Sequence, residues 1–134
     1  MGRKYDNMLA VIKMRDISKF EGVFVALNAI YDSKDEVDLE ATEQLVKIYK
    51  SKGVKGVYVC GSTGEGFLLN SFERMLIADA VKRAAGNDFT VIVHVGCAST
   101  KESIELAKHA EMIGADAISA VPSVYYHLPA ESVE

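Results

Sequence analysis

The chain has 134 residues, 49% hydrophobic and 25% charged, enough for one globular domain with a substantial core. A net charge of −4 without a basic cluster argues against a nucleic-acid partner. The apolar runs fall far short of a membrane span. The N-terminus, with Arg3, Lys4 and Asp6 before a short apolar stretch from Met8 to Ile12, lacks a secretory pattern, so no membrane partner is expected.

Residues 1–21 read as a leader in which Met8, Leu9 and Ile12 line one face of a short helix, and residues 22–134 as the folded unit. Gly22 to Ile30 is continuously apolar apart from Asn28, and its short length and β-branched content predict a strand buried on both faces. A charged loop follows from Tyr31 to Glu36. Asp38 is placed to cap a helix, with Glu40 in its first turn, Leu39, Leu45, Val46 and Tyr49 at helical spacing, and Gly53 at its end.

Val54 to Cys60 predicts a second strand. Asn70 caps the next helix, and Glu73 sits where a carboxylate reaches back to the cap. Apolar positions at Phe72, Leu76, Ala80 and Val81 mark its buried face, and Gly86 stops it. Phe89 to Val95 predicts the third strand. Ser99 to Glu102 spells a capping box for a helix that ends at Gly114. Ala115 to Val121 predicts the fourth strand. Pro122 and a loop bearing Tyr125 and Tyr126 follow, and Pro129 suits the first turn of a fourth helix. Cys60 and Cys97 lie at strand ends without a CxxC partner and are expected as buried, reduced thiols, which fits a cytoplasmic protein.

Strands that alternate with helices and read as solid apolar runs imply a parallel sheet with helices outside it. Four such βα units are half of a (β/α)₈ TIM barrel. The stop at Glu134, one or two turns into the fourth helix, reads as a truncation, because a helix that short has no stability of its own. The alternative is a small open α/β sheet complete in itself, which would leave one face of its fourth strand uncovered.

The stretch with most chemical content is Gly61-Ser62-Thr63-Gly64-Glu65-Gly66, between the second strand and the second helix. Its glycines are expected to allow positive φ and a close approach of a ligand. The Ser62 and Thr63 hydroxyls, beside free backbone N–H groups, could hold a small anion such as a carboxylate. The plainer reading is an ordinary βα turn. Glu65 is read as holding the loop. His94, on an apolar strand, is read as a satisfied core histidine, and no metal-ligand spacing is present, so neither a metal nor a cofactor is expected.

At Gly61-Ser62-Thr63-Gly64-Glu65 the chain resembles the N-acetylneuraminate lyase and dihydrodipicolinate synthase family of class I aldolases. The likeness runs from about Gly22 to Glu134, the first half of a family member. Three further stretches carry it: the acidic loop from Asp32 to Leu39; His94-Val95-Gly96-Cys97 with Ser99-Thr100, similar to the lyase branch; and Pro122 with the Tyr125-Tyr126 pair. The chain departs from the family in having Asn28-Ala29 where Thr-Pro is usual.

The resemblance implies a (β/α)₈ barrel that binds pyruvate as a Schiff base and cleaves a sialic acid to pyruvate and N-acetylmannosamine. It assigns Ser62 and Thr63, flanked by Gly61 and Gly64, to the pyruvate carboxylate, and Tyr126 to a neighbouring subunit's active site in a homo-oligomer. It also implies that this chain alone is inactive, since neither the Schiff-base lysine nor the Tyr-Asn-x-Pro tyrosine of the family has a counterpart in it. Lys47, Lys50, Lys52, Lys82, Lys101 and Lys108 are read as solvated helix positions. Two alternatives stand beside the lyase: a dihydrodipicolinate synthase or other 2-keto acid aldolase, and a non-enzymatic half-barrel that assembles with another chain.

Overall fold

The computed structural model describes residues 17–122, Pro129 and Glu131. The helix expected in the leader and the Tyr125-Tyr126 loop lie outside the described residues. A 3-10 turn, Ser18–Phe20, is followed by β1 (Phe24–Ala26), α1 (Leu39–Ser51), β2 (Gly56–Val59), α2 (Ser71–Ala85), β3 (Thr90–His94), α3 (Thr100–Met112) and β4 (Ala117–Ser119). The strands form one parallel sheet in the order β1-β2-β3-β4, with Val25 opposite Val57, Val57 opposite Val91, and Val93 opposite Ile118. Each helix carries the chain from one strand to its neighbour, the connection that parallel strands require.

The helix boundaries follow local chemistry. Asp38 Oδ1 accepts from the Ala41 N–H at 2.9 Å. Asn70 Oδ1 accepts from the Glu73 N–H at 2.9 Å while the Glu73 carboxylate accepts from the Asn70 N–H at 2.7 Å, a complete capping box. At α3 only half of the expected box forms: Ser99 Oγ accepts from the Glu102 N–H at 3.4 Å. The chain leaves the helices through Gly53, Gly86 and Gly114, with φ of 78°, 66° and 74°.

Neighbouring positions on the strands face opposite sides of the sheet. Val57, Val59, Val91 and Val93 are buried in one cluster with Val46 of α1, Ile77 and Val81 of α2, and Leu106 of α3. These valines therefore face the helices. The opposite parity carries Ala26, Tyr58, Ile92 and Ala117, none of them fully buried. Only β2 and β3 are solid buried strands. β1, expected to be buried on both faces, and β4 are three-residue edges with one neighbour each among the described residues, and Val23 beside β1 and Ile118 on β4 are more than half exposed.

Two further expectations are corrected. Phe72 points outward, 68% exposed, and the buried stripe of α2 instead begins at Arg74 and continues through Ile77, Ala78, Val81 and Ala85. Two of the lysines are paired: Lys50 with Asp88 at 2.5 Å and Lys82 with Asp116 at 3.7 Å. Asp116 also accepts from Lys19 and from the Val91 N–H, tying the 3-10 turn, α2 and the sheet together at the N-terminal end of the strands.

Candidate functional site

The Gly-rich turn sits, as expected, just beyond the C-terminal end of β2. It is closed by backbone bonds from Gly66 N–H to Gly61 O at 3.0 Å and from Glu65 N–H to Ser62 O at 3.1 Å. Its glycines are not the left-handed residues. Cys60 and Glu65 take the positive φ, 58° and 55°, while Gly61, Gly64 and Gly66 do not. Space explains the glycines instead. A Cβ at Gly66 would lie 1.9 Å from the Cys60 carbonyl oxygen, and one at Gly64 would lie 2.7 Å from that of Leu27.

Ser62 and Thr63 project to the exposed surface, and among the described residues neither hydroxyl has a hydrogen-bond partner. Both lie just beyond the C-terminal end of β2. The cavity of about 240 Å³ beside the turn is lined by other residues, among them Gly66, Phe67, Asn70, Arg74 and Cys97. Glu65 does hold the loop: its Oε2 accepts from the Tyr31 hydroxyl at 3.0 Å.

Behind the turn, Tyr58 and Ser119 share a hydrogen bond between their hydroxyls, linking β2 to β4. Phe67 stands edge-on to the His94 ring at 5.6 Å. His94 is buried, and desolvation together with the neighbouring Arg74 charge holds its pKa below the usual histidine value, so the ring stays neutral. Arg74 is the residue that sequence reasoning missed. It is 3% exposed and donates to the carbonyls of His94 at 2.6 Å and Gly96 at 3.0 Å, fixing the path from β3 into α3. Its spacing with Ile77, Ala78 and Val81 was the available signal. Among the described residues no group of three or more His, Cys, Asp or Glu could hold a metal, and no helix is long and apolar enough to cross a membrane.

Successive parallel βα units, with polar turns gathered at the C-terminal ends of the strands, define a section of a TIM barrel. The chain belongs to the dihydrodipicolinate synthetase family, whose model matches residues 19–134. It is 45% identical over 116 residues to the N-acetylneuraminate lyase of Mediterraneibacter gnavus, covering 87% of this chain and 37% of that protein. It is 44% identical over 108 residues to N-acetylneuraminate lyase 2 of Escherichia coli, covering 81% and 35%. Among solved structures, the sialic acid aldolase of Ruminococcus gnavus superposes with a TM-score of 0.83 at 43% identity, over 86% of this chain and 38% of that one. The dihydrodipicolinate synthase of Aquifex aeolicus gives 0.76 at 32%, over 83% and 37%. The chain thus spans little more than a third of the length of the relatives it matches. These likenesses place it nearer the lyase branch.

Proposed function

We propose that this chain forms the keto-acid-binding portion of an N-acetylneuraminate lyase, an enzyme that reversibly cleaves a sialic acid to pyruvate and N-acetylmannosamine. One observation carries the reading: a chain over 40% identical to such lyases presents two free hydroxyls, Ser62 and Thr63, between Gly61 and Gly64 at the C-terminal end of β2. In this reading both hydroxyls and the turn amides donate to the pyruvate carboxylate, and charge-assisted bonds of this kind are short and strong. Tyr125 and Tyr126 complete a neighbouring subunit's site in a cytoplasmic homo-oligomer. The chain binds pyruvate but does not turn it over alone, because it has no counterpart of the family's Schiff-base lysine. A related aldolase of the dihydrodipicolinate synthase branch is the second reading, supported by the likeness to the Aquifex enzyme.

Two measurements on the chain test this. Titration with pyruvate should shift the backbone amide resonances of Ser62, Thr63 and Gly64. Borohydride added to the mixture should leave the intact mass unchanged. Unmoved amides at millimolar pyruvate would remove the carboxylate site. A mass gain on one lysine would show a working Schiff-base amine and overturn the expected inactivity.

A further inference from the structure

The guanidinium of Arg74 is buried and always charged, yet among the described residues it has no carboxylate within ion-pair distance. Its Nε is buried without a hydrogen-bond partner. A buried charge is costly unless something of opposite sign balances it. Its side-chain contacts are the carbonyls of His94 and Gly96, His94 Nδ1 at 3.4 Å, and the sulfur of Cys97, to which Nη1 donates at 3.1 Å. Of these groups only the Cys97 sulfur is an ionisable acid, and the Cys60 thiol, on which Arg74 also acts, is kept protonated by burial.

Cys97 and Arg74 both line the 240 Å³ cavity between the starts of α2 and α3. Cys97 is half-buried there, two residues before the N-cap of α3, and its N–H is held by Ser103 Oγ at 3.0 Å. The other charged group on the cavity wall is Glu102, which is exposed and so screened by water. A longer contact of 3.7 Å to the Val95 carbonyl is available to the protonated thiol. A partly exposed sulfur beside an arginine and near a helix start is the setting in which cysteines become nucleophilic.

We propose that Cys97 is a nucleophilic modification site for small neutral soft electrophiles admitted through this cavity, with Arg74 as the residue that balances charge on its sulfur. In the reaction with iodoacetamide an S–C bond forms, the C–I bond breaks, iodide leaves and the thiol proton passes to water. Cys60 is the internal contrast. It is fully buried, and desolvation pushes its thiol up to about 11 against the opposing effect of Arg74, which leaves it inert.

The test is the rate of iodoacetamide labelling of each cysteine in the whole chain at neutral pH, mapped by peptide mass and compared with the chain unfolded in urea. The folded chain should label Cys97 about tenfold faster than the unfolded chain does, a difference that exposure alone cannot produce. Cys60 should label far more slowly when folded. Arg74→Lys should keep most of the Cys97 rate, and Arg74→Met should reduce it to the unfolded-chain value or below. If Arg74→Met unfolds the protein, Cys60 will label as fast as Cys97 and reveal it, and the folded-to-unfolded comparison still decides. A Cys97 rate in the native chain no greater than in urea overturns the proposal.

Discussion

The hydroxyl of Tyr31 donates to Glu65 Oε2 at 3.0 Å, tying the loop after β1 to the turn after β2. Partial burial, then the bond to Glu65, raises the Tyr31 pKa, so the phenol remains a donor throughout the neutral range. Glu65 makes this bond from a left-handed backbone, φ 55°. Left-handed geometry costs a non-glycine residue about 1–2 kcal/mol. Glu65→Ala loses the acceptor and keeps that cost, so it should destabilise the chain by about 1 kcal/mol. Glu65→Gly loses the same bond but is at ease at positive φ, and should be more stable than Glu65→Ala by about 0.5–1 kcal/mol. Urea unfolding of both variants checks the order. Equal midpoints would mean that the backbone at Glu65 carries no strain.

Gly66 is held by space, not by its torsion. Its Cβ position lies 1.9 Å from a backbone oxygen, which cannot swing aside as a side chain can. Gly66→Ala should therefore cost about 3 kcal/mol, the upper end of overpacking. Gly53 is the comparison: a Cβ there meets nothing within 4 Å, though its φ is 78°. Gly53→Ala should cost about 1–2 kcal/mol, from the left-handed backbone alone. Thermal or urea unfolding of the pair separates the two causes.

Stability should fall on mild acidification because of His94. Desolvation, then the Arg74 charge, lowers its folded pKa below the ordinary value of about 6.5 that it takes when unfolded. Below that pH the unfolded chain binds a proton that the folded chain refuses, so the stabilisation is complete above about pH 6.5 and is lost as pH falls through the folded pKa. Asp116 acts at lower pH. Desolvation raises its pKa, but the bond from the Val91 N–H and the charges of Lys19 and Lys82 outweigh this, and the net shift is downward. Its contribution is present above about pH 4 and lost below it. Unfolding midpoints between pH 7.5 and 5 should decline in the native chain and decline less in His94→Gln. Parallel slopes would show that His94 takes up its proton as readily in the folded chain.

What could be read from the sequence was what is decided locally. Asp38, Asn70 and Glu73 act on N–H groups within three residues, and Gly53, Gly86 and Gly114 end helices through their own torsions, so each was visible in a short window. The facing of the strands was not. A run such as Val57-Tyr58-Val59 is apolar at every position, and only the helices packed on one side decide which parity is buried. Arg74 escaped notice because a charged residue in a helix is usually solvated, whereas its guanidinium here serves carbonyls twenty or more residues away. In the turn, the residue types pointed to an anion site, but that Cys60 and Glu65 bear the positive φ, and that the glycines are there for space, depends on how the turn packs back on Leu27 and Cys60.

Among the described residues, β1 and β4 each have a strand neighbour on one side only, which leaves their other sides open. Around β4 and α3, Ile104, Met112, Ile118 and Val121 are 49%, 76%, 52% and 51% exposed, and at the other edge Val23 is 67% exposed. Large contiguous apolar patches are rare on soluble monomers. Burial of a further ~1,000 Å² of apolar surface would be worth roughly 25 kcal/mol by area, an upper bound before the cost of association. The chain should therefore self-associate at low micromolar concentration, seen as a sedimentation coefficient that rises with concentration. Ile118→Lys, at the centre of the β4 edge, should shift the population toward monomer and increase binding of a hydrophobic dye. A native chain that sediments as a compact monomer, unfolds cooperatively and binds no dye would show that these surfaces need no partner.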